Sequence, residues 1–371
     1  MNEALALYIH WPFCVSKCPY CDFNSHVRES VDQDRWRSAL LADLAHEVDV
    51  GPKRPLTSIF FGGGTPSLMP PATVAALIEA AERHWGFAPG IEITLEANPS
   101  SVEASRFAGL AAAGVNRVSL GLQALDDAAL QFLGRAHDVA EGLAALETAQ
   151  RNFDRVSFDL IYALPGQAVD DWAKTLDRAI GLGTGHLSLY QLTIEPGTRF
   201  AAMAARGELA PQDPDLGADL FELTRALTTA AGLPAYEISN HARPGEESRH
   251  NLTYWRYGDY LGIGPGAHGR RVGVATTRAK KPENWLTRID ARGHGMDLED
   301  ALSDTDRARE TLVMGLRLEE GIPLDRIRPA VDAAAVARLA NLGLIEQTAE
   351  RLRVTPQGML VLNTILAEIA V

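Results

Sequence analysis

Three cysteines, Cys14, Cys18 and Cys21, stand within eight residues of one another, and the chain has no others. An odd, clustered set cannot form an intrachain disulfide framework. In a reducing compartment, thiols grouped like this serve metal or redox chemistry. The spacing is Cys-x3-Cys-x2-Cys. Three thiolates on one loop can hold three irons of a [4Fe–4S] cluster, which leaves the fourth iron open to a ligand, as a catalytic metal site requires. Trp11, Phe13, Tyr20 and Phe23 flank the cysteines and would shield such a cluster from water. The alternative is a zinc site with His26 as fourth ligand. Zinc knuckles usually pair two short Cys/His elements, and the x3 spacing fits them poorly.

Further polar residues recur in short segments after apolar runs. FFGGGTPS spans Phe60–Ser67, Glu96 stands in LEANP, Gln123 in SLGLQ, Arg135 in LGRAH, and Asp159 in FDLIYALPGQ. Consecutive glycines let backbone amides approach a ligand closely. A carboxylate suits ribose hydroxyls, and Arg suits a carboxylate. Each residue taken singly also reads as a turn, cap or surface group. Gly264, Gly266 and Gly269 in LGIGPGAHG satisfy GxGxxG by letter, but no βαβ context surrounds them, so they do not predict a dinucleotide site.

The elements that must position these residues alternate. Apolar runs at Leu5–His10, Ser58–Phe61, Glu92–Leu95, Arg117–Leu120, Val156–Ile161 and His186–Leu192 read as strands. Amphipathic stretches such as Gln33–Val48, Pro71–Trp85, Val102–Ala113, Val139–Asn152 and Val169–Leu182 read as helices between them. The fold class is α/β with a parallel sheet. Six units suit a partial (β/α) barrel, with a doubly wound sheet as the alternative. In a barrel, functional residues sit at the C-terminal ends of the strands, which is where the segments above fall. The pattern divides the chain into a core over 1–235, a Gly-, His- and aromatic-rich segment over 236–300, and a mostly helical, winged-helix-like domain over 301–371. In that domain Thr305–Glu320 and Asp332–Leu342 read as helices, Ile345–Val354 as a hairpin and Pro356–Ile369 as a last helix. The net charge of −13 argues against a general nucleic-acid binder, the winged-helix-like tail included. No apolar run is long enough to cross a bilayer. The opening MNEALALYIHWPFC has an early acid and no basic stretch, unlike a secretory leader, so a cytoplasmic protein is expected.

YIHWPFCVSKCPYCDF resembles the start of the radical S-adenosylmethionine (SAM) superfamily, and within it the branch of oxygen-independent coproporphyrinogen III oxidase and its relatives. The resemblance runs from Tyr8 to about residue 270, and more loosely to Val371. It implies a radical SAM-type partial barrel with a [4Fe–4S] cluster on Cys14, Cys18 and Cys21. The cluster's open iron binds SAM, which its reduction cleaves to a 5′-deoxyadenosyl radical. It further implies SAM contacts from Gly63, Gly64, Thr65, Glu96, Gln123, Arg135 and Asp159, with Tyr8 and Tyr20 next to the cluster and Tyr20 near the adenine. His10 matches the same pattern and reads equally well as a structural hydrogen-bonding residue.

Two departures separate the chain from the oxidase itself. That enzyme has a further cysteine where this chain has Phe23, and an extension upstream of the cluster. RHNLTYWRY, residues 249–257, carries His250-Asn251-x2-Tyr254-Trp255. It resembles the HNxxYW signature of the radical SAM haem chaperones (HemW-like proteins). Imidazole can ligate haem iron, and Tyr and Trp can pack on a porphyrin. Equally, the signature can shape a site without ligating iron. This resemblance implies a chaperone that binds haem and delivers it to a respiratory haem protein, with a homodimer and peripheral membrane contact as further expectations. The other reading is an enzyme that oxidatively decarboxylates coproporphyrinogen III.

Overall fold

The computed structural model describes residues 4–371. Glu3, the early acid noted above, lies outside them. Eleven strands form one sheet: β1 (Leu5–Trp11), β2 (Leu56–Gly63), β3 (Phe87–Ala97), β4 (Arg117–Gln123), β5 (Arg155–Tyr162), β6 (His186–Gln191), β7 (Asn240–Ala242), β8 (Asp259–Ile263), β9 (His268–Arg271), β10 (Val274–Arg278) and β11 (Met296–Ala301). Their order is β11-β10-β9-β8-β1-β2-β3-β4-β5-β6-β7. β8 and β1 to β6 are parallel neighbours, and the remaining strands pair antiparallel at the two ends. β1 to β6 lie in chain order with no reversal, which removes the doubly wound alternative. Residues from β2 to β6 wall a common hollow at their C-terminal ends, as in a partial barrel. The segment 236–300 supplies β7 to β11 and so continues the same sheet.

The parallel strands are buried on both faces but alternate in character: Ile59, Ile93, Val118 and Phe158 join the apolar core, while Ser58, Glu92, Arg117 and Ser157 are buried polar residues on the other face. Leu5, Ala6, Leu7 and Ile9 of β1 are fully buried. Helices α1 (Gln33–Val50), α2 (Pro71–Trp85), α3 (Val139–Asn152), α4 (Val169–Gly181) and α5 (Pro214–Ala230) pack over the core. Asp32 caps α1 by accepting from the Arg35 amide. The expected helix Val102–Ala113 is broken into two short helices, Ser101–Ala104 and Phe107–Ala112.

α1 carries two acids on its buried face, Asp43 and Glu47. Their partners come from the far end of the sheet. Asp43 accepts from the amides of Gly264 and Gly295 at 3.0 and 2.9 Å and from Trp285 Nε1 at 3.2 Å. Arg278, fully buried on β10, donates to Glu47 at 2.6 Å. Trp36 of α1 stacks on Trp285 of α7 (Pro282–Arg292), centroids 5.2 Å apart.

The C-terminal unit has its own apolar core, including Leu312, Ile327, Leu339, Leu352 and Ile365. It comprises α8 (Asp304–Gly315), α9 (Ala333–Asn341) and α10 (Leu362–Ile369), with a small antiparallel sheet of Ile322–Pro323, Ile345–Gln347 and Arg351–Val354. Helices with a three-stranded wing match the winged-helix-like expectation. α8 ends at Gly315, short of Glu320, with the Leu316 amide donating to the Leu312 and Met314 carbonyls, and Ile322 packs where a Gly315 side chain would stand. Among the described residues, no helix is long and apolar enough to cross a membrane.

Candidate functional site

The cysteine loop leaves β1 and folds over the C-terminal ends of β2 to β5. Cys14, Cys18 and Cys21 are free thiols around one cavity of about 410 Å³. Tyr20, Gly63, Gly64, Thr65, Glu96, Gln123, Arg135 and Asp159 line the same cavity. Eight of the nine residues placed in sequence at SAM or beside the cluster thus converge with the thiols. Tyr8 does not: its hydroxyl meets His10 Nδ1 at 2.9 Å, and its ring stacks on Phe60 behind the strand ends.

Hydrogen bonds lock the loop in place. The His10 imidazole Nε2 meets the Asn24 carbonyl at 2.9 Å, and the Asn24 amide donates to the carbonyls of Pro265 and Lys280. Gly63, Gly264 and Gly266 all have positive φ, and a Cβ on them would strike His10 or Asn24 within 2.6 Å. The GxGxxG-like segment is therefore the buttress under the cysteine loop, not a nucleotide turn. Burial holds the His10 imidazole down to about 4, so it is neutral at pH 7.

The donors around the thiols fit an iron–sulfur cluster. Thr65 Oγ1 donates to Cys14 Sγ at 3.5 Å and Arg135 Nη1 to Cys18 Sγ at 3.3 Å. Such donors tune a thiolate-bound cluster. Burial pushes the Cys14 and Cys21 thiols up, so metal loading must displace their protons. Among the described residues no three His, Cys, Asp or Glu side chains gather to hold a single metal ion. A cluster does not require that, because each thiolate binds its own iron. His26 meets Asn24 Oδ1 through its Nε2 at 3.2 Å and does not line the cavity around the thiols, which leaves the zinc alternative without its fourth ligand.

The polar wall opposite the thiols is tightly connected. Arg135 Nη2 donates to Asn98 Oδ1 at 2.7 Å and to the Gly121 carbonyl at 3.0 Å, and Asn98 donates to Thr65 Oγ1 at 3.1 Å. Asn98 lines the cavity and was overlooked in sequence, although it stands two residues after Glu96 in LEANP. Glu96 accepts from the Gly63 amide at 3.1 Å. Burial, then the neighbouring Asp159, push the Glu96 carboxyl up to about 8. Burial raises Asp159 to about 6, against hydrogen bonds from Ser188 and Ser119. Two uncompensated carboxyls facing a cavity favour a cationic ligand, and a sulfonium or an ammonium would hold both ionised. Gln123 sits at φ +68°, strained for a side-chain-bearing residue, and this turns its amide into the cavity.

A larger cavity of about 720 Å³ adjoins the first. Tyr20, Cys21, Phe23, Glu96, Gln123 and Asp159 line both. The other signature residues lie elsewhere. His250 is buried on α6 (Arg249–Trp255), with Nδ1 3.2 Å from Ser58 Oγ and its ring stacked on Phe60 at 4.9 Å. Burial holds it down to about 4. Neither His250 nor Asn251, Tyr254 or Trp255 lines either cavity. The structure places the signature below the cavities, on the face of β2 and β3 that also carries Glu96: His250 meets Ser58 and Phe60, and its amide donates to Glu92 at 3.1 Å.

A parallel barrel whose strand ends gather three loop thiols around an acid-lined cavity defines a radical SAM protein. Residues 8–179 match the Radical SAM superfamily and residues 302–361 the HemN C-terminal domain. The chain belongs to the radical SAM superfamily, in the family of the haem chaperone HemW. It is 38% identical to "Heme chaperone HemW" of Escherichia coli over 98% of this chain and 97% of that protein. It is 40% identical to "Radical S-adenosyl methionine domain-containing protein 1, mitochondrial" of Bos taurus over 98% and 87% respectively. Among solved structures, coproporphyrinogen III oxidase (HemN) from Escherichia coli aligns over 98% of this chain and 89% of its own, with a TM-score of 0.83 at 25% identity.

Proposed function

We propose that this protein binds haem on a SAM- and [4Fe–4S]-loaded scaffold and delivers it to a respiratory haem protein. The full-length similarity to proteins named as haem chaperones carries this reading. Cys14, Cys18 and Cys21 would hold the cluster, and Gly63, Gly64, Thr65, Glu96, Gln123, Arg135 and Asp159 would hold SAM, with Tyr20 beside it. When bound, cluster and SAM supply a reducible centre and a cleavable sulfonium, which here serve assembly, dimerisation or release. Arg135 orients the Cys18 sulfur, the glycine turn admits the ligand backbone-close, and Glu96 and Asp159 balance its positive charge. The protein would work in the cytoplasm, as a homodimer and against the inner face of a membrane.

The second reading is coproporphyrinogen III oxidation, favoured by the HemN fold match. Haem titration and an anaerobic decarboxylation assay on one reconstituted, SAM-loaded preparation separate the two. Stable haem binding without carbon dioxide release is expected. Carbon dioxide from coproporphyrinogen, or failure to bind haem, sinks the chaperone reading.

A further inference from the structure

The larger cavity combines exposed apolar groups at its mouth with an acidic lining. Its rim carries large apolar side chains left in the open: Phe23 is 62% exposed, Tyr190 41% and Leu360 36%. They stand on three separate parts of the chain: the cysteine loop, the end of β6 and the C-terminal unit. Exposed apolar surface converging on one opening marks a surface that a ligand covers. Deeper in, Ile161, Leu189 and Phe221 continue the apolar lining. Acids line it and no base does. Asp22, Glu96, Asp159 and Asp213 line the cavity, and the described lining residues include no Lys, Arg or His.

We propose that this cavity is the haem seat, with the macrocycle held edge-in against Phe23, Tyr190 and Leu360 and both propionates turned out to solvent. The proposal rests on the haem-handling reading above and adds the site, the orientation and the selectivity. A flat apolar ring fits the volume and the lining. Carboxylates do not enter with it, because each would be buried among acids with no Lys, Arg or His in the lining to pair with it. Haem carries its two propionates on one edge, so the opposite edge can enter bare. A tetrapyrrole bearing carboxylates on all four pyrroles has no bare edge. The seat therefore accepts haem and rejects tetracarboxylates, and it is incomplete without the C-terminal unit that supplies Leu360.

Ferric haem and ferric coproporphyrin III share iron and ring and differ chiefly in carboxylate number, so they probe the seat directly. Titrations followed by Soret absorbance would use the full chain with its cluster reconstituted. Wild type is expected to bind haem at least about tenfold more tightly than iron coproporphyrin. Phe23→Ala and Leu360→Glu are each expected to weaken haem binding about fivefold or more, with cluster absorbance and melting temperature retained. Asp213→Asn keeps the cap that Asp213 provides to α5 but removes a charge. It is expected to tighten iron coproporphyrin binding several-fold at low ionic strength and leave haem nearly unchanged. Haem binding that survives both Phe23→Ala and Leu360→Glu overturns the seat, and equal affinities for the two tetrapyrroles overturn the orientation. Wild type that binds no haem overturns the haem reading itself, a distinct result.

Discussion

Cys18 meets Arg135, which also holds Asn98 and the Gly121 carbonyl, so one sulfur is tied to the whole polar wall. With only three thiols in the chain, Cys18→Ala is expected to abolish the broad visible absorbance of the reconstituted cluster. Iron and sulfide at wild-type levels would contradict this. His250 calls for the opposite experiment. It is buried on α6 and lines neither cavity, so His250→Ala should leave the Soret position of bound haem unchanged. It should still cost about 2–3 kcal/mol of stability, through a cavity and a stranded hydroxyl, read by denaturant unfolding. A shifted Soret band would restore His250 as an iron ligand. The cysteines were legible in sequence because their chemistry is local. The direction in which His250 faces was not, because a motif names residue types and leaves the fold to decide which wall they enter.

At the scale of elements, the alternation of strands and helices was readable because each strand sets apolar residues at alternate positions into the core under the helices. What escaped were partnerships across the chain. Asp43 and Glu47 on the inner face of α1 look like errors in an amphipathic pattern until Arg278 arrives, 231 positions from Glu47. Arg278→Met should cost about 3–5 kcal/mol, because it removes the fully buried cation that pairs with both Asp43 and Glu47; a loss under 1 kcal/mol in urea unfolding, on the scale of an exposed ion pair, would show that their remaining donors and water suffice. The glycine turn after β2 is equally specific. A Cβ on Gly64 would stand 2.6 Å from the Phe13 carbonyl oxygen, with the rest of that backbone within 2.9 Å. The relief must come from the cysteine loop. Gly64→Ala is therefore expected to lower iron incorporation severalfold while costing only about 1–2 kcal/mol. Full incorporation would mean that the loop yields freely.

The molecule as a whole holds two opposed sets of buried titratable groups, and their balance sets its pH optimum. Burial holds His10, His137 and His250 down to about 4 and His241 to about 3. The unfolded chain binds protons at 6.5 that these folded imidazoles refuse. Their stabilising contribution is complete above 6.5 and is lost as pH falls toward 4. Burial pushes Glu96 up to about 8, Glu237 to about 7 and Asp159 to about 6. Their contribution is complete below the ordinary carboxyl range and is lost as pH rises through those values. Each proton difference changes stability by about 1.4 kcal/mol per pH unit. At pH 6 the four imidazole differences outweigh the three carboxyl ones. By pH 7 most imidazoles are neutral in both states, while Glu96 and half of Glu237 still keep their protons. The melting temperature of the metal- and ligand-free protein should therefore peak at about pH 6–7 and fall on both sides, measured by scanning calorimetry at fixed ionic strength. Glu96→Gln removes the largest loss on the alkaline side and should move the peak upward. A midpoint that climbs steadily to pH 8 in the wild type would mean that the carboxyls around the cavity already ionise freely, without any cationic ligand to hold them.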